Sequence, residues 1–313
     1  MTLQHKPGTS WDDVYRSARL IAPEAFETDR IANLLGGEWC FVGETRPHAV
    51  AIDATLIPGP PRIDRNTAVT AVEQASRQHA TWSKTPIDER QQRVRNAVTL
   101  LREHRDTIAM LLMWEIGKPW RIACADVDRC VDGIDWYLEE IERQMQGRTP
   151  LHGPVSNIAS WNYPLSVLVH AELAQLPAGN AVIAKTPSQG GFHALTLSHA
   201  LMARAGLPVT LISGVGGDLS DALISSPQLG ALAFVGGRSN GRKAQAPWPI
   251  CAVATFSNKR VSTLGASGTF LSGRYSRVIL KKVLNMPSSV APHTRATSCN
   301  ESCCQIFLRH ITT

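Results

Sequence analysis

Four apolar runs, VSNIA (155–159), AVIA (181–184), VTLIS (209–213) and ALAFV (231–235), mark the stretch of this 313-residue chain that decides its fold. Each run has the length of a buried β-strand. The residues between them predict helices over 164–175, 191–205 and 218–225. Alternation of strands and helices is typical of βαβ units and a parallel sheet. Right-handed crossovers then place the carboxyl ends of the strands at one edge, where ligands bind.

Three further helices are predicted before the first of these strands. The first covers residues 66–80. The second begins at 86–88 and ends at Gly117-Lys118-Pro119, and the third continues from there to about residue 145. Residues 1–65 alternate short apolar runs with Pro and Gly, which predicts an irregular arm with short strands. The expected fold class is therefore α/β, with a parallel sheet and flanking helices in a domain over residues 66–243.

Composition excludes several classes of protein. Apolar residues make up 43% of the chain and charged residues 19%, enough for a packed core. The chain lacks a long uninterrupted apolar run and a signal-peptide core, so we expect neither a membrane span nor export. Seven widely spaced cysteines do not make a disulfide framework. A cytoplasmic location is expected.

Residues 244–313 differ from the rest of the chain. They contain eight basic residues and one acid, Glu301, whereas residues 1–243 are nearly neutral. Helical and strand periodicity fade at the same point, which predicts an irregular basic tail that is disordered or produced by a change of reading frame. No nucleic-acid partner is expected, because the basic residues are dispersed and aromatic residues are sparse.

Polar and glycine-rich blocks follow the four predicted strands. Asn162, in Ser160-Trp161-Asn162-Tyr163-Pro164, either donates its amide to a developing oxyanion or caps the following helix. Lys185 ends the second strand and either contacts a ribose or phosphate group or is a solvated lysine. Glycine turns at 214–217 and 236–241 let a phosphate approach backbone N–H groups, although ordinary turns also need glycine.

In order and spacing, these blocks resemble the aldehyde dehydrogenase superfamily, where they read W-N-Y-P, A-G-N-x-V-x-x-K, a G-x-G turn and F-T-G-S-x-x-x-G. Earlier residues extend the resemblance over about residues 30–243, and they are Gly36-Gly37-Glu38-Trp39, Trp82, Glu89-Arg90 and Glu115-Ile116-Gly117-Lys118-Pro119. The resemblance implies an NAD(P)-binding domain of Rossmann type that does not use the standard G-x-G-x-x-G loop.

The resemblance also implies roles for individual residues by matching position. Asn162 is the oxyanion donor, and Trp161 lines the cofactor site. Lys185 contacts the adenosine ribose. The remaining cofactor contacts fall to glycines, with Gly216 near the adenine and both Gly236 and Gly237 facing the pyrophosphate.

Three positions depart from the family pattern. Family members that use NAD usually have Glu where this chain has Ser188. A carboxylate repels a 2′-phosphate, whereas a hydroxyl can donate to it, so the expected cofactor is NADP or NAD. Val235 and Gly237 replace the usual Thr and Ser, which leaves the glycine geometry in place but weakens the implied pyrophosphate contacts.

Aldehyde oxidation in this family also requires a cysteine nucleophile and a glutamate base. The E-L-G-G and G-Q-x-C stretches that carry them are absent, and the nearest string, Thr263-Leu264-Gly265-Ala266, has no carboxylate. Cys299 is the remaining candidate nucleophile, although its flanking residues do not match. Its neighbours Cys303, Cys304 and His310 fit no usual zinc spacing, so no metal site is expected.

Together these observations predict an NAD(P)-dependent aldehyde dehydrogenase in truncated form, with weak or no activity and a small-molecule aldehyde as substrate if it is active. The alternative is a non-catalytic dinucleotide-binding or interaction protein on a degenerate scaffold. Whether the chain is an enzyme stays open at this point, as does assembly into a homo-oligomer.

Overall fold

The computed structural model describes residues 9–245 and three strands beyond them, and its main feature is a nine-stranded mixed sheet. In chain order the strands are β1 (Asn33–Leu35), β2 (Glu38–Cys40), β3 (His48–Ala49), β4 (Leu56–Ile57), β5 (Val155–Ile158), β6 (Val182–Lys185), β7 (Val209–Ile212), β8 (Ala231–Gly237), β9 (Ala252–Ser257), β10 (Arg260–Leu264) and β11 (Phe270–Leu271). The sheet order is β11-β10-β9-β8-β5-β6-β7-β1-β2, and β3 pairs separately with β4.

The centre of the sheet is parallel. Strands β8, β5, β6 and β7 run in the same direction, with Val155 opposite Val182 on one side and Ala231 on the other. Strand β1 is antiparallel to β7. The four strands coincide with the four apolar runs, so the predicted parallel sheet is confirmed, and their carboxyl ends share one edge.

Ten α-helices and one π-helix are described. They are α1 (Trp11–Ile21), α2 (Arg65–Trp82), α3 (Ile87–Glu103), α4 (Arg105–Ile116), α5 (Trp120–Val131), α6 (Ile134–Met145), the π-helix Pro164–Val169, α7 (His170–Gln175), α8 (Phe192–Arg204), α9 (Ser220–Leu223) and α10 (Arg238–Gln245). Within the described part of the chain, no helix has the length and apolar character needed to span a membrane.

Helices cover both faces of the sheet, and β6 shows how its sequence allows this. Val182 and Ala184 join the large apolar cluster that contains α3, α4, α5 and α8, whereas Ile183 joins a second cluster with α2 and α9. All three side chains are fully buried. A strand buried on both faces has a continuous apolar sequence, which is why AVIA shows no alternation.

Two of the predicted helices are interrupted. His104 leaves helical geometry between α3 and α4, and Asp132 and Gly133 separate α5 from α6, with Gly133 in the left-handed region at φ 79°. The apolar spacing continues across His104 to Ile108, which is buried like its counterparts in α3. The hydrophobic pattern therefore does not show the break.

The N-terminal segment contains α1, where the sequence analysis expected only short strands. Ser10 and Asp13 form a capping box, in which Ser10 Oγ accepts from the Asp13 N–H at 3.2 Å and the Asp13 carboxylate accepts from the Ser10 N–H at 3.1 Å. Trp11 and Tyr15 then pack around the buried ring of His193 in α8. The Ser-x-x-Asp spacing was the sequence signal for this helix.

Beyond residue 244, where an irregular tail was expected, β9 adds to the sheet in parallel with β8 and continues into antiparallel β10 and β11. The edge of β8, which an irregular tail would leave open, is thereby paired through backbone hydrogen bonds. Such pairing depends on backbone groups that every non-proline residue carries, so it leaves little trace in the sequence.

A buried carboxylate joins the helical layer to the sheet edge. Glu115, near the end of α4, accepts the backbone N–H groups of Phe192 at 2.8 Å and His193 at 3.2 Å. These N–H groups belong to the first turn of α8, where helices leave donors unpaired and favour negative charge. Glu115 therefore fixes the start of the helix that follows β6.

Replacing Glu115 with Gln exchanges one accepting oxygen for an NH₂ group, which cannot accept either N–H. We expect Glu115→Gln to lower the free energy of unfolding by about 2 kcal/mol, the scale of a hydrogen bond to a charged group. Urea unfolding followed by circular dichroism measures this change.

Glu139→Gln on the exposed face of α6 removes the same charge and serves as the matched control, for which little change is expected. Equal unfolding free energies for the two variants would contradict a role for Glu115 in fixing α8.

Candidate functional site

A cavity of about 870 Å³ opens at the carboxyl edge of the parallel strands. Its wall is built from the residues that follow β5, the loop after β6, the turn after β7 and the junction of β8 with α10. Cavities that hold drug-sized ligands and cofactors typically measure about 300–1,000 Å³. The position and the size of the cavity therefore both fit a ligand of dinucleotide class.

Most of the predicted site residues meet in this cavity. The lining includes Trp161, Lys185, Ser188, Gly216, Gly236 and Gly237. These residues come from four separate segments, which only the parallel sheet brings together. Asn162 neighbours the lining residue Trp161 without being part of the wall. Cys299, the candidate nucleophile, lies outside the described residues.

Lys185 is one of two lysines that line this cavity, the other being Lys243. Lys185 is the last residue of β6, and its Nζ donates to the carbonyl of Thr186 at 2.9 Å. No described carboxylate lies within ion-pair distance of its ammonium group. Burial, with a smaller contribution from the nearby charge of Arg62, lowers the pKa of Lys185 to about 8. The solvated-lysine alternative does not fit this half-buried position.

The glycine turns supply backbone rather than side chains to the wall. A Cβ on Gly236 would lie 2.9 Å from the ring of Phe234, so a larger residue there would require the ring to move. Helix α10 begins at Arg238, immediately after these glycines. Its first N–H groups therefore lie at the cavity edge, in the arrangement that suits a phosphate.

The geometry of the segment around Asn162 bears on the helix-cap alternative. The π-helix begins at Pro164 after Tyr163, and no side chain caps it. Asn162 is exposed, and its Oδ1 accepts from Ser160 Oγ at 2.7 Å. The helix-cap alternative is therefore wrong, because the side-chain oxygen of Asn162 accepts from Ser160 instead of from a helix N–H group.

Sequence analysis missed the groups that hold this segment in place. The ammonium of Lys118 lies 4.1 Å from the centre of the Tyr163 ring and 2.6 Å from Oδ2 of Asp126. Oδ1 of Asp126 accepts the backbone N–H of Ser166 at 2.9 Å. Asp126 is fully buried, and the only available signal was an acid within an otherwise apolar helical face.

Among the described residues, no group of three or more His, Cys, Asp or Glu side chains is placed to hold a metal ion. The buried histidines have other partners. His79, for example, bonds the carbonyl of Leu151 through Nε2 at 2.8 Å and the N–H of Ala181 through Nδ1 at 3.2 Å.

Comparison with known proteins gives a consistent result. The model of the family described as "Aldehyde dehydrogenase family" matches residues 47–248. The succinate-semialdehyde dehydrogenase [NADP(+)] GabD of Escherichia coli K12 is 28% identical over 232 residues, covering 67% of this chain and 47% of that protein. An NADP-dependent glyceraldehyde-3-phosphate dehydrogenase of Pisum sativum is 30% identical over 190 residues, covering 53% and 38%. The chain thus spans about half or less of the length of these relatives.

Solved structures give the same fold. The NADP-dependent glyceraldehyde-3-phosphate dehydrogenase of Bacillus halodurans C-125, complexed with NADP, superimposes with a TM-score of 0.65 at 24% identity, covering 72% of this chain and 52% of that one. The HpcC protein of Thermus thermophilus superimposes with a TM-score of 0.70 at 22% identity, covering 81% and 52%. At this level of identity the similarity establishes the fold.

The environment of Lys185 leads to a prediction about its protonation. We expect its amine to be charged below and neutral above a pH of about 8, because burial and Arg62 both disfavour the ammonium form. Reductive ¹³C-methylation followed by a pH titration in the NMR spectrometer measures this directly.

The Lys185→Arg variant identifies the resonance by its loss, since Arg keeps the charge but is not methylated. A Lys185 resonance that stays in its charged form beyond pH 10 would contradict the described burial.

Proposed function

Because the chain belongs to the aldehyde dehydrogenase family, we propose that its large cavity binds NADP or NAD in the oxidation of an aldehyde to a carboxylic acid. One observation carries the proposal. Lys185, whose ammonium has no carboxylate partner among the described residues, lines a cavity whose wall also contains two glycine turns at strand ends. None of the described lining residues is acidic, and a phosphate-bearing nucleotide supplies the negative charge that the lysine can bind.

The residues fit a dinucleotide segment by segment. Lys185 and Ser188 offer donors to the hydroxyl groups or phosphate of one ribose. The backbone at Gly236 and Gly237, followed by the start of α10, suits the pyrophosphate. Trp161, which lines the cavity and has 40% of its surface exposed, offers an apolar surface to the cofactor.

When bound, the dinucleotide supplies a hydride acceptor. The contribution of this chain is then to position the reacting carbonyl and to stabilise charge. The Asn162 amide can donate to the oxygen that becomes negative when a nucleophile attacks, provided that the segment around it stays rigid. Lys118 and Asp126 supply that rigidity through Tyr163 and Ser166.

The nucleophile and the base have no recognisable counterpart in the sequence of residues 244–313. We propose that this 313-residue chain binds the dinucleotide but oxidises aldehydes weakly or not at all. The same observation favours the second candidate, a dinucleotide-binding or interaction protein without catalysis. A cytoplasmic location is part of the proposal, because the described cysteines Cys40 and Cys124 take part in no disulfide bond.

The choice of cofactor tests the site. We expect wild-type chain to bind NADP, and Ser188→Glu to weaken NADP binding at least about tenfold while NAD binding is kept, because a carboxylate repels the 2′-phosphate but can accept from a 2′-hydroxyl. Isothermal titration calorimetry with each cofactor measures both affinities.

Ser188→Gln has nearly the same side-chain size as Ser188→Glu without the charge and is the matched control. If neither NADP nor NAD binds the wild-type chain, the proposed function is wrong.

Catalysis is tested separately. We expect the purified chain to produce little or no NAD(P)H from a panel of aliphatic, aromatic and acidic aldehydes. The reason is that the sequence has no recognisable cysteine nucleophile or glutamate base. Absorbance at the wavelength of the reduced nicotinamide measures the rate.

Sustained production of NAD(P)H would overturn the inactive form of the proposal. The Cys299→Ser variant would then show whether Cys299 is the nucleophile, since Ser retains the size but is a far weaker nucleophile at neutral pH.

A further inference from the structure

A second, smaller cavity of about 100 Å³ lies beside the large one. The loop Thr186-Pro187-Ser188 lines both cavities and separates them. The outer wall of the small cavity comes from the N-terminal segment, around residues 46–48 and 59–62. Its volume suits a single polar group rather than a nucleotide.

Three basic side chains line this small cavity, and they are Arg46, His48 and Arg62. None of its described lining residues is acidic. Arg46 lies 3.6 Å from the carboxylate of Glu44 in an exposed ion pair. Arg62 is half-buried, and within residues 9–245 its guanidinium has no carboxylate within ion-pair distance. An arginine of this kind offers the planar donors of its guanidinium group to an anion.

The backbone around Arg62 is fixed on both sides. Fully buried Asn33 donates from Nδ2 to the carbonyl of Pro61 at 2.8 Å and accepts the N–H of Ser213 at 2.8 Å. The N–H of Ile63 donates to the carbonyl of Ser213 at 3.0 Å. Arg62 is thus anchored to the end of β7, next to the sheet edge.

We propose that Arg62, with Arg46 and His48 beside it, forms an anion subsite that receives the 2′-phosphate of NADP and sets a preference for NADP over NAD. This inference rests on the proposed function, because it concerns the cofactor of the same site. It assigns the phosphate selectivity to the N-terminal segment, in addition to the residues of β6 and its loop.

The charges of the two cavities support this assignment. Arg62 is close enough to Lys185 to lower its pKa, so two cations that repel each other border the same three-residue loop. Placing two cations together is unfavourable unless an anion accompanies them. A phosphate dianion at Ser188 would lie between them and would accept from the serine hydroxyl, whereas NAD brings only a hydroxyl to that position.

The test compares ligand pairs that differ only in the 2′-phosphate. For Arg62→Ala we expect binding of NADP and of adenosine 2′,5′-bisphosphate to weaken at least about tenfold, with binding of NAD and 5′-AMP unchanged. Arg62→Lys restores the charge without the planar fork and is expected to recover part of the loss. Isothermal titration calorimetry gives all four affinities.

Arg95→Ala removes the same charge from an exposed position of α3 that lines neither cavity, and no change is expected. Circular dichroism of each unliganded variant checks that it is folded. If the wild-type chain binds NADP and Arg62→Ala binds it with the same affinity, the subsite is wrong but the proposed function stands. The same conclusion follows if Arg62→Ala weakens NADP and NAD binding equally. Failure of the wild-type chain to bind either cofactor overturns both proposals.

Discussion

Parallel pairing of β8, β5, β6 and β7 brings four strand ends to one edge of the sheet, and together they supply a lysine, an aromatic ring and glycine backbone. Lys185 arrives from β6, the backbone of Gly236 from β8 and the aromatic ring of Trp161 from the segment after β5. In the sequence these residues are tens of positions apart. The hydrogen bonding of the central strands therefore determines the composition of the cavity wall.

Two buried carboxylates bind segments that follow strands at this edge. Glu115 binds the first N–H groups of α8, and Asp126 binds Lys118 and the N–H of Ser166. Each carboxylate comes from the helical layer and reaches a segment that begins at a strand end. Burial of a carboxylate is costly unless it is paired or accepts strong hydrogen bonds, and both conditions are met here. The same bonds that satisfy these charges position the loops around the cavity.

The cations at this edge differ in whether a carboxylate pairs with them. Lys118 is neutralised by Asp126, whereas the described residues give neither Lys185 nor Arg62 a carboxylate within ion-pair distance. Burial and the proximity of Arg62 lower the pKa of Lys185 to about 8, so its amine is charged at neutral pH and loses its proton not far above it. Binding an anion would restore that charge, which links ligand affinity to protonation in this pH range. This contrast between paired and unpaired cations distinguishes structural charges from those available to a ligand.

The sequence by itself determined the parallel sheet and four of the segments that border the cavity, because apolar runs and glycine turns are local signals. It did not determine the break at His104, since the hydrophobic spacing continues across it, nor β9, whose pairing uses backbone groups common to all residues. It also left open whether Asn162 caps the following helix, and the structure excludes this because no side chain caps the helix that begins at Pro164. The position of Arg62 beside the loop after β6 depends on Asn33 and Ser213, which are 180 residues apart, and contacts at such separation exist only in the folded chain.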